Sequence, residues 1–212
     1  DGDALGLGRE APAIADGVRF GPGRWSGGLE LEPGGRLAYR SEQNIALEAG
    51  TIEMWVALRA YGRDPRYAER NHVLLQYRAP NGDSISIAQA KDSGILYAGG
   101  SVGGRWQSAY GYGGNMRAWS AGEWHHLAYT YSRAAAFMPL YLDGRLVADT
   151  NEGRYDPPDP NGDRLYVGGD ASGNVADYRI DSVVLGAAAA DDDEIAARAR
   201  RAGPPEANER WL

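Results

Sequence analysis

The chain has 212 residues, a net charge of −7 and no cysteine. Disulfides and thiolate metal sites are therefore excluded, a nucleic-acid partner would lack the basic face it needs, and no apolar run approaches the eighteen residues of a membrane-spanning helix. The 43% hydrophobic content suffices for one core, while 30 glycines, 11 prolines, 13 tyrosines and 6 tryptophans point to many short strands and turns.

Residues 1–24, rich in Gly, Asp and Pro, read as an extended N-terminal arm with an apolar piece around Ile14–Phe20. Residues 25–202 read as one domain and 203–212 as a tail. Turn signals then recur at close spacing, among them Pro33-Gly34-Gly35, Asn81-Gly82-Asp83, Gly99-Gly100, Gly103-Gly104, Asp143-Gly144 and Gly168-Gly169. Between them, strand composition predicts strands near 27–32, 36–40, 50–60, 72–79, 83–89, 94–99, 105–110, 123–132, 138–143, 145–150, 163–168 and 175–187. Asp143-Gly144 between LYL and RLV is a two-residue hairpin signal. One helix is expected over 191–201, with Asp191, Asp192, Asp193 and Glu194 in its first turn and Arg198, Arg200 and Arg201 in its last. Many strands, one terminal helix and no βαβ rhythm predict an all-β antiparallel sandwich.

The stretch EWHHLAYTYS (123–132) holds two adjacent histidines. On a strand they face opposite ways, so His125 and His126 cannot chelate one ion together. The expected role is architectural. Glycoside hydrolysis by the retaining route needs two carboxylates about 5 Å apart. The strand-like segments offer scattered acids instead: Glu30 and Glu32, Glu53, Glu123, Asp177 and Asp181. The chain is therefore not expected to be an enzyme.

The segment RWQSAYGYGGNMRAW (105–119) has the composition of a ligand surface. Flat aromatic rings stack on the C–H faces of sugars, and planar polar groups take their hydroxyls. The candidate ligand-binding residues are Arg105, Trp106, Gln107, Tyr110, Tyr112, Asn115 and Arg117. The competing reading is that the alternate aromatics pack on the core. Such residues also suit a protein partner. The charged loop 61–71, with Arg63, Arg66, Tyr67 and Arg70, is a second candidate surface.

Several stretches, in order, resemble laminin-G-like domains of the concanavalin A-like lectin/glucanase superfamily. They are GRWSGGLELE (23–32), GTIEMWVAL (50–58), AGEWHHLAYTYS with PLYLDGRLVADT (121–132 and 139–150), RLYVGGD (164–170) and RIDSVVLG (179–186). Ser182 and Val184 depart from the usual pattern of that last strand. The resemblance implies a jelly-roll sandwich of two antiparallel sheets. It also implies one structural calcium ion, held by the Asp181 carboxylate, the Gly50 carbonyl and a carbonyl from the arm near residues 17–20; oxygen ligands suit that ion. The acidic loop 156–163 reads as a plain turn.

The expected function is a non-catalytic carbohydrate-binding or adhesion module, extracellular or surface-associated, whose partner is a glycan or a cell-surface or matrix protein. One alternative is a structural subunit that self-assembles through its termini, with Trp211-Leu212 as the docking end. A second is a degenerate glycoside hydrolase.

Overall fold

The computed structural model describes residues 11–25, 27–42, 44–150 and 154–205. The hairpin signal is where the sequence places it. Asp143 and Gly144 both adopt positive φ, 52° and 75°, as a type I′ turn requires. They join β9 (Leu140–Leu142) to β10 (Arg145–Ala148). The Pro33-Gly34-Gly35 signal acts differently. Instead of ending a strand it bends one, and β2 (Gly27–Arg40) runs through it with Gly34 at φ 78°. The N-terminal arm is not free either: β1 (Ile14–Pro22) pairs antiparallel with β2 along its length.

The remaining strands are β3 (Ala49–Leu58), β4 (His72–Arg78), β5 (Ser84–Gln89), β6 (Ile95–Val102), β7 (Arg105–Asn115), β8 (Trp124–Ser132), β11 (Arg164–Val167) and β12 (Tyr178–Gly186). Helix α1 (Asp192–Ala199) follows. The strands form one antiparallel sheet in the order β10-β9-β8-β3-β12-β2-β11-β4-β5-β6-β7. The bent strand β2 belongs to both halves: Leu29 pairs with Ile180 of β12, and Leu37–Arg40 pair with β11. The two halves fold face to face into a sandwich, and the ends nearly close. A Cβ built on Gly111 of β7 would touch Val147 of β10 and Leu140 of β9 at 3.2 and 3.3 Å.

Period-2 alternation decides what lies between the halves. Ile52, Met54, Val56 and Leu58 of β3 meet Leu75 and Tyr77 of β4, Ile85 and Ile87 of β5, and Leu127 and Tyr129 of β8 in one buried cluster. Several tyrosines at its margin donate their hydroxyls to loop carbonyls: Tyr131 to Ala46 at 2.6 Å, Tyr155 to Leu47 at 2.6 Å and Tyr77 to Asp159 at 2.5 Å. These bonds tie the loops 41–48 and 154–163 to one end of the sandwich. Buried tyrosines of the core are thereby also the anchors of the loops that shape that end.

Candidate functional site

The outer face of the β4–β7 half is the side turned away from the core. Register assigns its residues in cross-strand rows. One row runs Ala38, Tyr166, Gln76, Ser86, Gly99, Ser108 across β2, β11, β4, β5, β6 and β7. A second contains Ala88, Tyr97 and Tyr110. A third runs Arg40, Arg164, Arg78, Ser84 and continues through Ser101, whose N–H donates to Ser84 Oγ at 3.3 Å, to Trp106. Small side chains thus make the floor in the middle, with aromatic rings along β6 and β7. Gly99 is required for this floor. At φ 146° its missing Cβ would stand 2.2 Å from the Gln107 carbonyl, so a side chain there would force β6 and β7 apart.

Trp106 is 43% exposed. Its indole Nε1–H donates to Ser108 Oγ at 3.0 Å, which lays the ring along β7 over the buried Ser108. Tyr97 stands between Trp106 and Tyr110, with ring centroids 6.0 and 5.9 Å away. Burial pushes the Tyr97 phenol up, and neighbouring Tyr110 and Asp170 push it the same way; it stays a neutral hydroxyl able to donate and accept. A tight turn borders this floor. Asp170 accepts from Ser172 N, Asn174 N and Asn174 Nδ2 at 2.8 to 2.9 Å, and Ala171 N donates to Gln76 Oε1 at 3.2 Å. Three partly exposed rings, hydroxyls and an amide on a rigid sheet are what a sugar needs: flat apolar faces to stack on and directional groups beside them.

The structure divides the residues expected to bind ligand. Trp106 and Tyr110 share the outer face. The Tyr112 side chain lies outside the described residues. Gln107 turns inward, because it alternates with Trp106. Its amide makes a reciprocal pair with the Asp156 backbone, Nε2 to O at 2.7 Å and N to Oε1 at 2.8 Å. Arg105 shares that orientation at the strand's start, highly exposed, with Nη2 3.8 Å from Asp156 Oδ2. Asn115 and Arg117 sit at the other end of β7; Asn115 pairs with Ile95 and Trp106 with Ser101, six residues apart on β6 and so roughly 20 Å away. There Asn115 Oδ1 caps the short 3-10 turn by accepting from Arg117 N at 2.9 Å. The second candidate surface is pinned down: Tyr67 is buried and accepts from Arg59 N and Ala60 N while donating to Asp177 O, and Arg66 pairs with Asp64 and Asp177.

Sequence reasoning missed Tyr97, Tyr166, Gln76 and the arginine row, because they come from strands distant in the chain. A local signal existed in β5: SISIAQ alternates serine with isoleucine, a strand with one polar, small-residue face.

The histidines behave as architecture. His125 stacks on Trp119 with centroids 3.8 Å apart and shares Asp143 with the His126 amide. His126 points the other way and meets Glu53 at 3.1 Å. The scattered acids are engaged by cations or amides: Glu30 by Arg179 and Arg59, Glu53 by His126 and Arg198, Asp177 by Arg59 and Arg66. His126 and Arg198 hold the Glu53 carboxyl below the usual carboxylate range, which makes it a poor proton donor.

The residues assigned to an ion do not share a site. Asp181 Oδ2 accepts from Arg24 N at 2.7 Å and Trp25 N at 3.3 Å, and Oδ1 accepts from Ser182 Oγ at 3.1 Å. The Arg24 guanidinium lies 3.6 Å over the Trp55 ring, beside this carboxylate. Asp181 pairs with Trp55 of β3, whereas Gly50 pairs with Tyr131 five residues farther along, roughly 16 Å away. A carboxylate surrounded by amide donors and a guanidinium does not fit a cation. Among the described residues, no group of three or more His, Cys, Asp or Glu comes together as a metal site.

Solved structures of the same shape include the binding domains of toxins and one domain of an arabinanase. The binding domain of Paraclostridial Mosquitocidal Protein 1 superposes with a TM-score of 0.69 at 15% identity, over 90% of this chain and 47% of that one. Domain 4 of AbnA, an extracellular GH43 arabinanase from Geobacillus stearothermophilus solved in complex with arabinotriose, superposes with a TM-score of 0.68 at 13% identity, over 90% and 89%. The receptor binding domain of botulinum neurotoxin C/D mosaic serotype gives 0.65 at 12% identity, over 89% and 46%. The chain spans about half the length of these two toxin domains and nearly all of the arabinanase domain. By sequence, no curated protein matches. The profile of the Laminin_G_3 family, described as concanavalin A-like lectin/glucanases superfamily, matches residues 34–196, and the chain belongs to that family.

Proposed function

We propose that this chain is a non-catalytic carbohydrate-binding module built on a jelly-roll path, acting outside the cell or at a surface, with a cell-surface or matrix glycan as its partner. The observation that carries this reading is the outer face of β4–β7: the exposed Trp106 beside Tyr97 and Tyr110, over a floor of Ser84, Ser86, Gly99 and Ser108. The binding domains of similar shape support it, above all the arabinanase domain that was solved with arabinotriose and is covered almost completely. The engaged carboxylates support a binding role over a hydrolytic one. The alternative of self-assembly through the arm 1–24 and the tail 203–212 lies in part, at residues 1–10 and 206–212, outside the described residues, and within the arm Ile14–Pro22 pair with β2.

The test is a glycan array that includes arabino-oligosaccharides, probed with the whole chain and with Trp106→Ala. Binding by the wild type that drops at least about tenfold in the variant, the loss of roughly one stacked ring, supports the reading. Absence of binding across the array contradicts it.

A further inference from the structure

The three rings of the outer face do not lie in one plane. Tyr97 of β6 is inclined by 58° to Trp106 and by 41° to Tyr110, its neighbours on β7, with centroids 6.0 and 5.9 Å away. Ring quadrupoles favour such inclined contacts over parallel ones, so the row of rings is stable as it stands. Two further features keep it from flattening. The Trp106 indole is tied through Nε1–H to Ser108 Oγ at 3.0 Å, and Ser108 is itself fully buried. The pairing of β6 with β7 also shifts register between Ile95 and Leu96, and an irregularity of that kind adds local twist to two strands.

The face beside the rings is closed on one side. Gln76 of β4 and Ser86 of β5 point outward in the same row as Gly99 and Ser108, yet both are buried. The turn of residues 170–174 lies against Gln76, whose Oε1 accepts from Ala171 N at 3.2 Å while its Nε2 donates to Ser86 Oγ at 3.3 Å. This turn stands in the way of a ligand that runs across β5 and β4. The path left among the described residues runs along β6 and β7, over Tyr110, Tyr97 and Trp106 in succession.

That path is a series of faces, each turned from the last. Sugars joined through equatorial oxygens, as in cellulose, form a flat ribbon whose ring faces stay close to one plane. Such a ribbon stacks on one of these rings and is held off the others by their tilt. Chains joined through an axial oxygen, or built from five-membered rings on a flexible exocyclic link, turn at every residue and offer successive faces at successive angles.

We infer that this face selects polysaccharide chains that turn from one residue to the next and discriminates against flat ribbons, with Ser108 as the positioning residue that fixes the angle of Trp106. The inference rests on the carbohydrate-binding reading and adds the class of chain.

Calorimetric titration of the whole chain with three sets of oligosaccharides of equal length tests it. Malto- and cello-oligosaccharides are the same glucose joined axially or equatorially, and arabino-oligosaccharides supply the five-membered ring. The expected result is a malto- or arabino-oligosaccharide that binds about tenfold tighter than the cello-oligosaccharide, the worth of engaging the second and third rings. Ser108→Ala removes the partner of the indole without adding bulk, and the preference should fall to within about threefold as the Trp106 indole N–H signal moves. Equal or tighter binding of the cello-oligosaccharide by the wild type overturns this inference and leaves the carbohydrate-binding reading standing. Binding of none of the three overturns it as well, whereas absence of binding across the whole glycan array is what overturns the reading beneath it. An undiminished preference in Ser108→Ala overturns the role given to Ser108.

Discussion

Arg198 of the C-terminal helix reaches Glu53 in the middle of β3, and the other oxygen of that carboxylate meets His126 Nε2 at 3.1 Å. Glu53 is buried, so the pair joins the helix to the sheet in a place where an unpartnered charge is costly. The helix has eight residues, too few to persist alone in water. It is held by its capping box between Asp191 and Glu194, by the Tyr141 hydroxyl on Asp192, and by Ile195 packed with Ala128, Tyr141 and Ala190. Arg198→Met removes one partner and leaves Glu53 buried beside His126. It should cost about 3 kcal/mol of unfolding free energy, read by urea denaturation. An unchanged midpoint would mean that the pair contributes nothing.

The same carboxylate sets an acid limb of stability. Burial alone would push Glu53 up, but hydrogen bonds from His126 and Arg198 and their charges hold it below the usual carboxylate range. A lowered folded pKa means that the unfolded chain binds more protons in acid. The stability from Glu53 is therefore complete above about pH 4.5, the ordinary glutamate value, and is lost as pH falls through the depressed one. Asp143, lowered by His125 and the His126 amide against its own burial, acts in the same direction. Denaturation midpoints across pH 3 to 6 should fall toward acid in the wild type, and Glu53→Gln should flatten part of that slope. Parallel pH profiles for the two proteins would refute this assignment.

Gln107 and Trp106 are neighbours in the chain with opposite duties. The reciprocal amide pair of Gln107 with Asp156 holds the loop 154–163 from inside. Gln107→Ala should destabilise by about 1–3 kcal/mol, the cost of leaving backbone groups without partners. It should leave sugar affinity within about twofold, because the side chain does not reach the outer face. Comparing thermal unfolding with calorimetric titration separates the effects; a large affinity loss at unchanged stability would put Gln107 in the binding site.

How far the sequence discloses this molecule depends on range. Local chemistry was readable: the Asp143-Gly144 turn, the acid-to-base gradient of the 192–199 helix, and the opposed faces of His125 and His126 all follow from neighbours a few residues away. Pro33-Gly34-Gly35 misled because a bend and a chain reversal share the same residues, and pairing with both β12 and β11 makes it a bend. The site was half legible. Trp106 and Tyr110 stand out in one aromatic segment, whereas Gln107, grouped with them by composition, alternates with Trp106 and turns inward to Asp156. Tyr97, Gln76 and the three arginines were hidden, since their meeting depends on strand order and register across six strands. Asp181 drew a metal assignment because a lone strand acid gives no sign of the Arg24 and Trp25 amides that occupy it.

The central claim is that sugar is bound on the outer face of β4–β7. The most direct measurement is titration of the 15N-labelled chain with an array-identified oligosaccharide, following the tryptophan indole N–H signals and assigning Trp106 through Trp106→Phe. The account predicts that the Trp106 signal shifts in a saturable way, while those of Trp25, Trp55 and Trp124, on the opposite half of the sheet, stay in place. Shifts confined to Trp25, Trp55 or Trp124 would contradict it and move the binding site to the other face.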